Sequence, residues 1–178
     1  MSRVPLLALD AMNPTQREQY QRFPSHLTQA LLLTAPRLAA AIPNTANALR
    51  AATLDAKTRE GAILRVAALS GSAFERMQHL GEAQKAGWSA DEIAAIEAIG
   101  NGASPLLGGF NAVLAFVDEC VAAPRVTDAT FARLSAHWPA GDIATLILLV
   151  GHYMMVARLL ATLDIELDPA PTDWQTEH

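Results

Sequence analysis

The chain has 178 residues, of which 51% are apolar and 17% charged, so it can bury a full core as one domain. Its formal net charge is −5 and its pI is near 5.5, so it has no excess of basic residues to bind the phosphate backbone of a nucleic acid. We therefore expect no nucleic-acid partner. The single cysteine, Cys120, excludes an internal disulfide and a dithiol redox pair. The first apolar run is too short for a signal peptide, so we expect a cytoplasmic protein.

Alanine and leucine recur at three- and four-residue spacing along most of the chain, and no stretch alternates apolar and polar residues. This pattern predicts an all-α fold. The prolines near the start predict an extended N-terminal arm over residues 1–24, followed by one all-α domain over 25–168. Pro169, Pro171 and the acidic residues around them predict a flexible tail over 169–178.

Local start and stop signals predict the helices in chain order. The predicted helices begin near Ser25, then run from Pro43 to Arg50, Lys57 to Leu69, Ser72 to Gly87, Ser89 to about Ile99, Phe110 to Ala122, Thr127 to His137 and Pro139 to Leu163. A loop rich in glycine and proline is expected between residues 100 and 109.

The last of these helices is apolar enough to raise the possibility of a membrane span over residues 143–163. His152 and Arg158 lie inside the stretch, and no basic cluster flanks it. We therefore expect a buried core helix or a subunit-interface helix, with no membrane partner. Such an apolar helix favours a homo-oligomer, which could be a dimer, a trimer or a hexamer.

The pattern Ser72-x-x-Glu75-x-x-x-His79 follows the break at Ser70-Gly71-Ser72. Ser72 and Glu75 fit a capping box, which requires no chemistry. On a helical wheel Ser72, Glu75 and His79 lie together on one face. The opposite face, predicted to be buried, carries Ala73, Met77 and Leu80. Spacing alone thus favours a helix cap and a solvent-exposed face, with a functional site as the alternative.

Glu60 is predicted to project among apolar residues of the preceding helix, where a carboxylate is costly unless it is paired or functional. A buried pair with Arg65 or Arg50 and a functional role are both open. If the break at Gly71 folds the two helices into a hairpin, Glu60 could meet His79 across a cleft.

The remaining candidates have ordinary structural interpretations. His152 shares a predicted helix side with Leu148 and Val156, which is typical of a satisfied core histidine. Cys120 follows two acidic residues, whose charges disfavour a thiolate. The histidines and the cysteine show no spacing typical of zinc ligands, so we expect no structural metal.

The segment "REGAILRVAALSGSAFERMQHLGEAQKAGWSADEIAAI" resembles the carboxymuconolactone decarboxylase and alkylhydroperoxidase D superfamily. The matching features are the Arg59-Glu60 pair, the Phe74-Glu75 pair, His79, and the segment from Ala83 to Ile93. The flanking segments are similar to the longer branch of about 180 residues, so the resemblance covers almost the whole chain. It implies a single-domain, oligomeric, alkylhydroperoxidase D-like helical fold.

In the peroxidase branch of that superfamily the motif is Cys-x-x-Cys-x-x-x-His, preceded by a proton-relay glutamate. The resemblance places Ser72 and Glu75 at the two cysteine positions, and His79 and Glu60 at the histidine and relay positions. A peroxidase is therefore the disfavoured third hypothesis, because its redox pair is absent.

The decarboxylase branch implies cofactor-free proton transfer on a small organic acid or lactone. His79 would be the general acid or base, Glu60 its partner, and Glu75 a second proton carrier beside Ser72, with Arg65 or Arg76 binding a substrate carboxylate. No cofactor is expected. The competing hypothesis is a catalytically silent binding or assembly protein on the same fold.

Overall fold

A computed structural model describes residues 2–100 and 102–172, and within these ranges the protein is helical with no strand. The prediction of an all-α chain is confirmed. The α-helices are α1 (Pro14–Arg22), α2 (His26–Leu31), α3 (Pro36–Ala51), α4 (Ala56–Ser70), α5 (Ala73–Lys85), α6 (Ala90–Glu97), α7 (Phe110–Ala122), α8 (Asp128–Ser135) and α9 (Ala140–Thr162). Short 3₁₀ turns lie at Leu9–Ala11 and Pro105–Leu107.

Helix α4 is the centre of the fold and packs against α5, α6, α7 and α9. All residues of α4 from Glu60 to Ala67 are buried, so the helix has no solvent face over two turns. Its apolar side chains form the main core with those of α7 and α9. A polar residue on this part of α4 must therefore find its partner inside the protein.

The N-terminal segment forms a second, smaller core rather than an extended arm. Met12 and Phe23 are buried there with α2, α3 and the α9 residues Val156 and Leu160. The prediction of an extended chain is wrong for Pro14–Arg22, because Asn13 and Gln16 form a capping box around a proline at the first helical position. The helix expected near Ser25 is present, with Ser25 as its N-cap.

Pro43 lies inside α3, whereas the sequence predicted that it begins a helix. The helix starts at Pro36 instead and continues through Pro43 to Ala51. Ala39, Ala46 and Leu49 lie on either side of the proline and are all buried. We attribute the continuity of α3 to this shared buried face, which offsets the hydrogen bond that a proline cannot donate.

The chain reverses direction at Gly71, so α4 and α5 form a helical hairpin. Gly71 has φ of 62°, the left-handed conformation that glycine adopts readily. Its amide donates to the Ala68 carbonyl, and the Ser72 amide donates to the Ala67 carbonyl. These two bonds close α4 as a Schellman motif and direct α5 along its side.

Helix α4 also approaches its neighbours closely at Gly61. A Cβ atom built at Gly61 would lie 2.7 Å from the Phe110 ring and 3.0 Å from Trp88. The two rings pack edge to face with centroids 4.8 Å apart. The missing side chain at Gly61 thus lets two aromatic residues reach the backbone of the central helix.

Helix α9 is the one described helix that is long and apolar enough to cross a membrane, and half of its most apolar 18-residue window is buried in the protein. Ile147, Leu148 and Met155 on its outer side are exposed. Whether that face contacts another subunit stays a prediction. The tail prediction falls mostly on residues 173–178, which lie outside the described residues.

Candidate active site

His79 and Glu60 form a buried pair between α5 and α4. The His79 Nδ1 and the Glu60 Oε2 lie 2.7 Å apart, and each residue is 2% exposed. The two residues face each other because the Gly71 turn folds the helices into a hairpin. The hairpin at the Gly71 break therefore brings these two predicted site residues together.

Arg59 provides the second partner of Glu60. Its Nε donates to the Glu60 Oε1 at 3.0 Å, so each carboxylate oxygen has one nitrogen partner. Burial raises the pKa of Glu60, but the hydrogen bonds and charges of His79 and Arg59 more than offset it, and the net pKa is lowered. Glu60 is thus an ionised carboxylate at neutral pH, and it pairs with Arg59, whereas Arg65 pairs with Asp118.

The carboxylate determines the tautomer of His79. An ionised carboxylate only accepts hydrogen bonds, so the Nδ1 of His79 carries the proton that it donates to Glu60. Whenever this ring is neutral, its Nε2 carries the lone pair. Tyr153 packs edge to face on the imidazole at a centroid distance of 5.0 Å and limits its rotation.

His79 lines a small cavity between α5, α9 and the N-terminal helices. The water-accessible volume of the cavity is about 40 Å³, enough for only a few water molecules. Its walls are mostly apolar, and its polar lining side chains are Thr28, Glu75, Gln78, His79, His152 and Tyr153. A ligand in this cavity would contact the histidine of the pair.

Glu75 lies in the same cavity and is 1% exposed. Among the described residues neither of its carboxyl oxygens has a hydrogen-bond partner. Burial raises the pKa of Glu75 to about 8 and outweighs the opposing effect of the nearby Ser72 hydroxyl. Glu75 is therefore a neutral acid at pH 7, whereas Glu60 is charged.

The wheel-based expectation of an exposed polar face on α5 is wrong. The buried residues of this helix are Glu75, Gln78, His79 and Ala83, which follow helical spacing, while Ala73 is exposed. Helix α5 carries a polar buried stripe because α2, α3 and α9 cover the cavity on that side. A prediction that only apolar residues are buried fails for a helix face that lines a polar site.

Ser72 has a structural role at the start of α5. Its hydroxyl accepts a hydrogen bond from the Glu75 amide at 3.4 Å and caps the helix. The second half of the predicted capping box is missing, because the Glu75 carboxyl does not reach back to the Ser72 amide. The carboxyl lies against the cavity instead.

Gln78 was not identified from the sequence, yet it lines the cavity one turn after Glu75. Its Oε1 accepts a hydrogen bond from the Thr172 amide at 3.0 Å, and its buried Nε2 has no partner among the described residues. Thr172 also donates from its hydroxyl to the Pro24 carbonyl. The C-terminal segment thus holds the amide of Gln78 in one orientation.

His152 is not the satisfied core histidine that the sequence predicted. It lines the cavity, is 6% exposed, and its buried Nδ1 has no partner among the described residues. Burial, with a smaller contribution from His79, lowers its pKa to about 4, so the ring is neutral. Leu148, expected on the same buried side, is 65% exposed.

The two candidate substrate-binding arginines are not brought to the cavity. Arg65 is buried, but it forms two bonds with Asp118 and donates to the Ile96 and Ala98 carbonyls. Arg76 pairs with Glu97 at the surface. Both guanidinium groups are occupied by other helices, because Arg65 leaves α4 toward α7 and Arg76 leaves α5 toward α6.

Burial and the adjacent Glu119 raise the pKa of the Cys120 thiol, which is typical of an unreactive cysteine. Cys120 does not line the cavity. No group of three metal-ligating side chains occurs among residues 2–100 and 102–172.

One sequence signal could have identified Gln78: its i+3 spacing from Glu75 on a helix that carries a candidate site. The distant contribution of His152 from α9 had no local signal.

Known proteins provide an independent comparison. Residues 36–119 match the model of the carboxymuconolactone decarboxylase family. No curated protein matches the chain. The match contains Glu60, Glu75 and His79.

Two solved structures share the fold. One, from Ralstonia eutropha JMP134, is the alkylhydroperoxidase AhpD core of an uncharacterized peroxidase-related protein; it superposes with a TM-score of 0.77 at 16% identity, covering 94% of this chain and 93% of that one. The other is a protein of unknown function from Agrobacterium tumefaciens, for which an AhpD role in antioxidant defence has been suggested. It superposes with a TM-score of 0.67 at 21% identity, covering 75% of this chain and 92% of the other. The family match over residues 36–119 and the shared helical fold support the similarity to the carboxymuconolactone decarboxylase and alkylhydroperoxidase D-like superfamily that the sequence motif indicates.

Proposed function

We propose that the protein is a cofactor-independent enzyme that transfers protons on a small lactone or organic acid, with His79 as the general acid or base. The observation that carries this proposal is the buried 2.7 Å contact between His79 and the ionised Glu60, beside a cavity. A positioned imidazole of this kind typically contributes about 10²- to 10⁴-fold to a rate.

The division of labour follows from the charges. Glu60 holds the Nδ1 proton, so the Nε2 of His79 is the atom that takes a proton from the substrate. The imidazolium that forms is stabilised by the adjacent carboxylate. Glu75, uncharged at neutral pH, can donate a hydrogen bond or a proton to an oxygen on which negative charge develops.

Decarboxylation is one reaction that this machinery could serve. Loss of CO₂ leaves a carbanion, and an imidazolium beside it could supply the proton that completes the reaction. The support for this particular reaction is the name of the matching family alone. Abstraction and return of a proton next to a lactone carbonyl would use the same groups.

A thiol peroxidase is disfavoured by the residues present. Ser72 caps α5 and Glu75 is a carboxylic acid, so neither can form a disulfide. Cys120 has a raised pKa and lies away from the cavity lining. Thiol-driven peroxide reduction needs an accessible thiolate and a resolving thiol.

A silent binding or assembly protein is the competing proposal, and the small cavity favours it. A water-accessible volume of about 40 Å³ holds only a few water molecules, so a substrate would enter only if side chains move. Under this proposal the Glu60–His79 pair would be a buried structural pair.

Exchange of C–H hydrogens of candidate substrates with solvent deuterium tests the two proposals against each other. A panel of small lactones and β-keto or lactone acids in D₂O, followed by NMR, would report both C–H exchange and loss of CO₂. We expect at least one compound to react with the wild type and to lose that reactivity at least 100-fold with His79→Ala.

Gln84→Leu, an exposed change on the same helix, is the matched control and should react like the wild type. Reactivity that survives in a folded His79→Ala protein would refute the role of His79. No reaction across the panel would favour the silent protein.

A further inference from the structure

The polar groups that line the cavity have unused hydrogen-bonding capacity. Both Glu75 carboxyl oxygens, the Gln78 Nε2 and the His152 Nδ1 are buried without a partner among the described residues. All three residues are more than nine-tenths buried and line the same cavity. A buried polar group without a partner destabilises the fold, so a ligand or a water that bonds to these groups recovers the lost free energy.

Gln78 can only donate into the cavity. Its Oε1 accepts from the Thr172 amide, and exchanging the oxygen and nitrogen would place two donors against each other. The Nε2 must therefore present its N–H groups to whatever fills the cavity. The matching ligand group is an acceptor oxygen.

The lining also disfavours a charged ligand. No lysine or arginine is among the described side chains that line the cavity. Arg59 is engaged by Glu60, and Arg65 and Arg76 pair with acidic residues elsewhere. A ligand carboxylate would be buried near the ionised Glu60 with no cation to compensate it.

We propose that the cavity binds a small uncharged carbonyl compound, such as a lactone or ketone, whose oxygen accepts hydrogen bonds from the Gln78 amide and the Glu75 carboxyl group. This inference rests on the proposed function in taking the cavity as the substrate site, and it narrows the substrate from an acid or lactone to the uncharged class. The apolar part of the ligand contacts side chains such as Phe23, Leu31, Ile42 and Phe74.

The chemistry of the site is then balanced without loss of CO₂. The His79 Nε2 takes a proton from the carbon next to the carbonyl, and the electron pair moves onto the carbonyl oxygen. Gln78 and Glu75 hold that oxygen as its charge grows. Return of the proton to the same or a conjugated carbon restores His79, so the net result is exchange or isomerisation.

A matched pair of ligands tests the inference. We would titrate γ-valerolactone and its ring-opened form, 4-hydroxyvalerate, into ¹⁵N-labelled wild-type protein and follow the Gln78 side-chain amide by NMR. We expect the lactone to shift this resonance and to bind at least tenfold more tightly than the hydroxy acid. Gln78→Met should weaken lactone binding about tenfold, and the exposed Gln84→Met should not.

Three results would overturn the inference: tighter binding of 4-hydroxyvalerate, binding of the lactone without a shift of the Gln78 amide, or no binding of either compound. The wild-type shift needs no variant, so a poorly folded Gln78→Met protein does not weaken the test. Binding and turnover are separate measurements. A lactone that binds through Gln78 but undergoes no exchange that depends on His79 would refute the proposed function and leave the binding site standing.

Discussion

The His79 Nδ1 lies 2.7 Å from the Glu60 Oε2, although 19 residues separate them in the chain. A buried histidine and a buried carboxylate satisfy each other across the α4–α5 hairpin, and Arg59 balances the remaining charge. The pair is therefore stable inside the fold while one imidazole nitrogen stays available for chemistry. This combination distinguishes the pair from a surface salt bridge, which contributes little.

Glu60→Gln should weaken the bond that holds the His79 ring. A neutral amide accepts a hydrogen bond less strongly than a carboxylate, so the Nδ1 proton resonance of His79 should move upfield. We expect a loss of stability of about 1–3 kcal/mol, because Arg59 also loses its charged partner. Measurement combines imidazole NMR with urea denaturation. Glu82→Gln, farther along α5, is the control, and an unchanged Nδ1 resonance in Glu60→Gln would contradict the pairing.

Glu75 should make the protein less stable as the pH rises. Its pKa is raised from 4.5 to about 8 in the fold. Between these two values the unfolded chain has lost the proton while the native protein keeps it. The native state therefore binds more protons, and the free energy of unfolding falls with pH at up to about 1.4 kcal/mol per unit across this window.

Glu75→Gln tests this pH dependence, because an amide is an uncharged analogue of the protonated acid. The difference in unfolding free energy between variant and wild type should grow in favour of the variant from pH 4.5 to 8, by a few kcal/mol. Urea denaturation at several pH values measures it. Other titrating groups are common to both proteins and cancel in the difference. A difference that is independent of pH would show that Glu75 titrates normally.

Gly61→Ala should destabilise the protein although alanine favours helices. The added methyl group would meet the Phe110 ring at 2.7 Å and Trp88 at 3.0 Å, and both rings are packed in the core. Overpacking of this kind costs about 1–3 kcal/mol. At Gly81, on α5, no atom lies within 4 Å of the added carbon, so Gly81→Ala should stabilise by about 0.5–1 kcal/mol. Opposite shifts in melting temperature are expected; stabilisation by both changes would contradict the close approach at Gly61.

Arg65→Met should reduce stability rather than ligand binding. Arg65 is 2% exposed and bonds to Asp118 and to two carbonyls, so its removal leaves several groups unpartnered. Loss of one partner of a buried pair costs about 3–5 kcal/mol. Arg76→Met, at an exposed pair with Glu97, should cost less than about 1 kcal/mol. Denaturation curves check both values. A stable Arg65→Met protein that had lost lactone binding would restore Arg65 as a substrate-binding candidate.

Most helix boundaries could be read from local signals, because caps and glycines act within one turn. The hydroxyl groups of Ser25, Ser89 and Thr127 each accept a hydrogen bond from a backbone amide in the first turn of the helix that follows. The exceptions have physical reasons. Pro43 predicts a helix start because a proline normally interrupts a helix, yet buried residues on both sides of it keep α3 continuous.

The site was only partly predictable. His79 and Glu60 were named from the motif, and the Gly71 turn indicated how they could meet. The sequence predicts the wrong buried face for α5, because a helical wheel assigns polar residues to the solvent side. The sequence pattern does not indicate Gln78 and favours a structural role for His152, since the other residues that line the cavity lie on segments far away in the chain.

The amino-acid sequence by itself determined the all-helical class, the hairpin turn and the residue types of the family motif. These depend on interactions within a few residues, which any copy of the local sequence would make. Only the tertiary structure decided the ionisation of the two acids. Glu60 meets Arg59 and His79 and stays charged, whereas Glu75 is desolvated without a partner and stays neutral. That difference depends on burial and on distant neighbours, so no local pattern could have predicted it.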